Sequence, residues 1–432
     1  MTKQKHRTTT LGEELPLKYG KARRGDIGLK NKNTPVYGSS GIFDTFERKL
    51  TNGPTLIVGR KGSVGSIFLT SEGCWPIDTV FFAEPKEGQY LPYFKYLLEG
   101  LKLKNLDRST AVPGLSRDDY NKIKVTIPEY EIQKSITEEI ETQFTRLDAG
   151  VAALKRAQAN LKRYRAAVLK AACEGKLAPT EAELAKDEGR SYETGEQLLQ
   201  RILVERKKKW EAEQKKTGGK KKYVDPKGPD VSSLPKLPKG WAWAHLPQLG
   251  ELNRGKSKHR PRDAKYLYGG RYPFIQTGDI RKANGKITKH TQTYSEAGLK
   301  QSRLWPSNTL CITIAANIAE TSILTFPACF PDSIAGFIAQ SESITTYFVE
   351  LFIRTAKERL EKYAPATAQK NININVLSNL AVPLPPLREQ QRIVDEMERQ
   401  LSVMEEMSKI AETNLLRAKS LKQTILQKQF YC

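Results

Sequence analysis

The chain has 432 residues and a formal net charge of +23, with 71 Lys and Arg against 48 Asp and Glu. The length fits two or three domains with cores of their own, and the charge points to a polyanionic partner, nucleic acid first. No apolar run approaches the ~20 residues of a membrane span, and the start, MTKQKHRTTTLGEELPL, lacks the apolar stretch of a signal peptide. Five cysteines (Cys74, Cys173, Cys311, Cys329 and Cys432) form no C-x-x-C pair and lie near no His cluster, which speaks against zinc and for reduced thiols in a cytosol.

Residues 1–127 read as a globular α+β domain of short β-branched runs separated by Gly and Asn turns. NTPVYGSSGIFDTF places Tyr37, Ser39 and Ser40 on a polar loop. GRKGSVGS, at Gly59–Ser66, combines glycines that let backbone approach a phosphate with donors at Arg60, Lys61 and Ser63. A plain turn accounts for that stretch equally well. PIDTVFFAEPK sets Asp78, Glu84 and Lys86 in the order of a magnesium-dependent nuclease, although a strand edge with surface charges is the simpler reading.

Residues 128–175 read as one long helix following Pro128. Ile136, Ile140, Phe144, Leu147, Val151, Leu154, Leu161 and Val168 recur at spacings of three, four and seven, the narrow seam of a coiled coil. Residues 176–236 follow as a short amphipathic helix, with Leu198, Leu199, Ile202 and Leu203 on one side, and then a basic, flexible linker. Arg201–Lys222 holds ten Lys or Arg against three Glu.

Residues 237–384 form a second globular domain. YPFIQTGDIRKANGK offers Gln276, Thr277, Arg281 and Lys282, and later loops add Asn317, Gln369 and Lys370. Gln and Asn can bind adenine with two hydrogen bonds, and Arg or Lys can bind guanine. Residues 385–432 form a second long helix after Pro385, with Ile393, Met397, Leu401, Met404, Ala411, Leu415 and Ile425 on its rail.

The chain repeats itself. KVTIPEYEIQKSITEEIETQF from Lys124 lies over AVPLPPLREQQRIVDEMERQL from Ala381 at a shift of 257 residues without a gap. TLIVGRKGSVGSIFL lies over TLCITIAANIAETSIL more loosely. A lone helix cannot bury such a seam, so the two copies are expected to pair antiparallel about a pseudo-twofold axis. Similar rods carrying dissimilar heads are what two different readouts require. Catalytic motifs are missing: LPPL lacks the amide and aromatic of an adenine-methylase loop, and TGGKKK lacks the upstream glycine of a Walker loop.

The duplicated P-x-x-x-x-Q helix, its exit LKRYRAAVLKAACEGKL, the PVYGSSGI and GSVGS loops and the LPKGWAWAHLPQLGEL opening of the second half resemble the specificity subunit of type I restriction–modification systems. The resemblance spans nearly the whole chain. It implies two target recognition domains that each read one half of a split, asymmetric double-stranded DNA site. The helices would set the spacer and dock two methyltransferase subunits, with motor-nuclease subunits completing the complex. AdoMet, ATP and Mg would then belong to the partners, no cofactor or metal to this chain, and the setting would be the cytoplasm of a bacterium or archaeon. DNA contacts carry over to Tyr37, Ser39, Ser40, Arg60, Lys61 and Ser63 in the first domain, and to Gln276, Thr277, Arg281, Lys282, Asn317, Gln369 and Lys370 in the second. AANIAE in place of a Gly-rich loop, and no LP-x-GW opening in the first half, depart from the pattern.

Overall fold

A computed structural model describes residues 7–22, 33–106, 114–219, 222–258, 261, 263–283, 285–315, 318–340, 343–362 and 372–431. Two compact units divide the chain: residues 1–158 with 409–432, and residues 159–408.

The first unit starts with strand Arg7–Thr10, paired antiparallel with Lys124–Ile127, the strand that leads into the first long helix. Its main sheet runs Lys18–Tyr19, Val80–Ala83, Thr55–Gly59, Ile67–Thr70, with neighbours antiparallel. A second sheet of three strands centres on Thr34–Gly38. Helix Leu91–Leu101 covers the main sheet and buries Tyr93, Phe94, Leu97 and Leu98. The second unit repeats this plan. Ala242–His245 pairs antiparallel with Ala381–Leu384, 257 residues beyond its counterpart. The hairpin Leu310–Thr313 with Thr321–Leu324 joins Ile334–Ala339 and Gly250–Arg254, and Gly285–Ile287 adds a parallel edge strand.

The long helices span Tyr130–Cys173 and Leu387–Tyr431. Their starts are fixed alike. Gln133 donates Nε2 to the Pro128 carbonyl at 2.8 Å, and Gln390 donates Nε2 to the Pro385 carbonyl at 2.9 Å. Both glutamines are buried, so each ties off the entry turn where water cannot. In the first unit the helices run antiparallel: Ile140 packs with Leu426, and Lys422 reaches Asp148 at 2.8 Å. In the second unit Val168 packs with Ile393 and Met397, and Tyr164 donates to Gln400 at 3.2 Å, also antiparallel.

Three expectations change. Heads and helices are not separate bodies, because each head takes one end of each helix into its core: Phe430 packs edge-on to Tyr93, and Met397 and Ile393 join Trp241 and Phe348. Near the end of the second helix, Leu426 is buried and Ile425 is only half-buried, because Leu426 points at Tyr96 and Ile140. Within residues 176–236, residues 222–236 form neither helix nor strand, and a short helix, Glu181–Asp187, precedes a longer one of 23 residues, Gly195–Thr217. Its Leu198, Leu199 and Ile202 belong to the core of the second unit, while Lys207–Lys209 and Lys215–Lys216 are exposed. Among the described residues, Cys74, Cys173, Cys311 and Cys329 are in no disulfide, and no helix is long and apolar enough to cross a membrane.

Candidate nucleic-acid interface

In the first unit two loops meet. Ser39 and Ser40 form the tip of the hairpin between Thr34–Gly38 and Gly41–Phe46. Arg60–Ser66 connects Thr55–Gly59 to Ile67–Thr70, the hairpin at one side of the main sheet. The Ser63 N–H points at Ser39 Oγ at 3.4 Å, and Ser66 Oγ donates to the Ser39 carbonyl. The glycines of this loop serve its own compaction. Gly62 and Gly65 have φ of 78° and 73°, and a Cβ on Gly65 would sit 2.7 Å from the Lys104 nitrogen. That folding leaves Lys61, Gly62, Ser63 and Ser40 exposed at one tip.

Arg60 is held half-buried. Its Nη1 donates to the Asp78 carbonyl at 3.1 Å, and its guanidinium lies 5.0 Å from the Tyr19 ring centroid. Tyr37 is the correction in this group. It is buried, its ring packs by Phe68, and burial pushes its hydroxyl pKa up. A register shift between Val36 and Tyr37 interrupts the strand's alternation and turns both side chains inward. Ile42 and Phe43, just past the hairpin tip, were missed by the sequence reading and stand 59% and 57% exposed. Two large apolar side chains side by side at the surface suit contact with thymine methyl groups. Their only sequence signal is their position after the SSG turn.

In the second unit Gln276 precedes helix Thr277–Lys282, which Ile280 anchors in the core. Asp279 accepts from the Gln276 N–H at 2.9 Å and from Thr291 Oγ1 at 3.2 Å. Gln276 donates Nε2 to Gln292 Oε1 at 2.7 Å. Both amides are exposed, as are Arg281 and Lys282, while Thr277 is half-buried. Gln292, which sequence reading did not single out, is brought there by the strand Gln292–Tyr294 pairing with Tyr268–Phe274. Asn317, Gln369 and Lys370 lie outside the described residues.

The nuclease-like trio is dispersed. Glu84 pairs with Lys18 at 2.8 Å, and Lys86 donates to the Glu13 carbonyl at 2.6 Å. Among the described residues no cluster of three His, Cys, Asp or Glu could hold a metal ion.

Comparison with known proteins identifies the family and the fold. A family model described as "Type I restriction modification DNA specificity domain" matches residues 7–156 and again residues 238–413. The Escherichia coli type I restriction enzyme EcoDI specificity subunit is 24% identical over 348 residues, covering 78% of this chain and 69% of that protein. A putative type I restriction enzyme MjaX specificity subunit from Methanocaldococcus jannaschii is 23% identical over 162 residues, covering 38% of this chain and 37% of its own length. Among solved structures, the HsdS subunit from Thermoanaerobacter tengcongensis shares the fold with a TM-score of 0.62 at 15% identity, covering 98% of this chain and 96% of that one. A chain from a structure of type I R-M complex assembly gives a TM-score of 0.63 at 15% identity, covering 100% and 99%. With both of its halves matched by the same model, the chain belongs to the type I restriction modification DNA specificity family.

Proposed function

We propose that this chain is the non-catalytic, sequence-reading subunit of a type I restriction–modification complex, binding double-stranded DNA at an asymmetric two-part site. The observation that carries the reading is the double match of one DNA-specificity family model, at residues 7–156 and 238–413, onto two halves with the same strand-and-helix plan. The polar loops differ between the halves: Ser39, Ser40, Lys61 and Ser63 in one, Gln276, Gln292, Arg281 and Lys282 in the other. Unlike loops on like scaffolds read unlike half-sites. The excess of Lys and Arg supplies backbone affinity through counterion release. The paired helices set the unread spacer and dock two methyltransferase subunits, with motor-nuclease subunits completing the assembly. AdoMet, ATP and Mg²⁺ act in those partners, and the methyltransferases flip the target adenines.

The test is an exchange of heads. Residues 7–127 are replaced by the matching segment of a relative with a known, different site, and the methylome of a host expressing the complex is mapped. One half of the methylated motif should change while the other half stays. A motif that changes in both halves, or in neither, would overturn the assignment.

A further inference from the structure

We propose that Tyr19 holds Arg60 and Arg117 together as a phosphate clamp that grips duplex DNA without reading its sequence. This rests on the DNA-reading function above and adds Tyr19 and Arg117 to the contact expected at Arg60.

Tyr19 lies on the two-residue edge strand Lys18–Tyr19 and is 47% exposed. Its ring is fixed edge-on against Phe81, centroids 5.0 Å apart. The guanidinium carbon of Arg60 is 5.0 Å from the Tyr19 centroid and that of Arg117 is 4.9 Å from it. Two like charges therefore share one exposed ring, each favoured by the ring's quadrupole. The chain brings Arg117 there by pairing. The Leu115 N–H donates to the Arg60 carbonyl at 2.9 Å, and Lys61 bridges antiparallel to Gly114. The clamp thus adjoins the serine-tipped loops of the same unit.

The geometry favours phosphate over base. Arg60 also lies against Phe81, 5.7 Å from its centroid, and is tied to the Asp78 carbonyl. A guanidinium held against two rings and a backbone carbonyl cannot extend to the floor of a groove. Its remaining planar N–H fork is preorganised at the surface, where phosphate oxygens pass.

The test measures binding of the full chain to a 30-base-pair duplex of random sequence across a salt series. Arg117→Gln should weaken binding roughly threefold to tenfold and reduce the log K against log salt slope by about 0.9, the value for one phosphate contact. Tyr19→Phe should match wild type. Tyr19→Leu keeps both charges but frees them, and should weaken binding several-fold. Arg48→Gln, at an exposed arginine paired with Glu47, controls for loss of charge alone. The methylated motif of the Arg117→Gln complex should equal that of wild type. Equal effects of Arg117→Gln and Arg48→Gln would overturn the clamp. So would relaxation of the motif at one base, which would make Arg117 a base reader. A wild-type chain that fails to bind any duplex would instead sink the DNA-reading function itself.

Discussion

Gln276 meets the surface already bonded to Gln292 at 2.7 Å, with its backbone N–H held by Asp279. An amide oriented before binding loses little rotamer freedom when it meets a base edge. We expect Gln276→Ala to relax one position of one half-site, at a cost of about 1–3 kcal/mol in discrimination, with the rest of the methylated motif unchanged. Tyr37→Phe should leave the motif untouched, since that side chain sits beneath the sheet surface against Phe68. Methylome mapping of both variants decides; a motif altered by Tyr37→Phe would contradict the assignment.

At the scale of elements, the start of the second long helix is held by a buried polar knot. Glu389 accepts from Trp241 Nε1 at 2.8 Å and from the Glu181 N–H at 2.9 Å. Glu181, itself buried, pairs with Arg190 and Arg392, each at 2.6 Å. The first long helix carries Ile132 where the second carries Glu389, 257 residues on. Ile132 offers no acceptor, so the bond made by the tryptophan of LPKGW has no counterpart at that position. Burial raises the Glu181 pKa, but hydrogen bonds from Arg190 and Arg392 outweigh it and hold the carboxyl below its usual range. A lowered folded pKa means stability that is present above the unfolded value, about 4.3, and lost as pH falls through the folded one. Glu181→Gln should destabilise the fold at pH 7 by about 1–3 kcal/mol, since Arg190 keeps Glu188 as a partner, and the difference in melting temperature from wild type should shrink below about pH 4. A penalty constant across that range would mean that packing, and not charge, is what the substitution removes.

For the whole molecule, the proposed spacer role of the two helices makes their length the variable to test. They run 44 and 45 residues, about 65 Å each. Adding the same whole turns to both, between Leu147 and Leu154 in the first and between Met404 and Ala411 in the second, preserves the seam while lengthening the rod. The methylated motif should keep both half-sites and gain spacer. An unchanged spacer would remove the helices from that role.

Much of this architecture was legible in the chain. The 257-residue shift, the P-x-x-x-x-Q entry and the three-four spacing are local or periodic signals. They named two long helices, the proline before each and the paired seam. The P-x-x-x-x-Q motif has a local cause, because Gln133 and Gln390 each bond a proline carbonyl five residues back. The loops at Ser39, Ser63 and Gln276 were visible as glycine-rich or polar breaks. Long-range pairing decided the rest. One register shift buried Tyr37, and antiparallel strands brought Gln292 to Gln276 and Arg117 to Tyr19. Core packing drew Leu198, Leu199 and Ile202 of a lysine-rich stretch into the second unit. Periodicity reports which side of an element is apolar, whereas a contact across tens of residues exists only after the sheets and helices have closed upon each other.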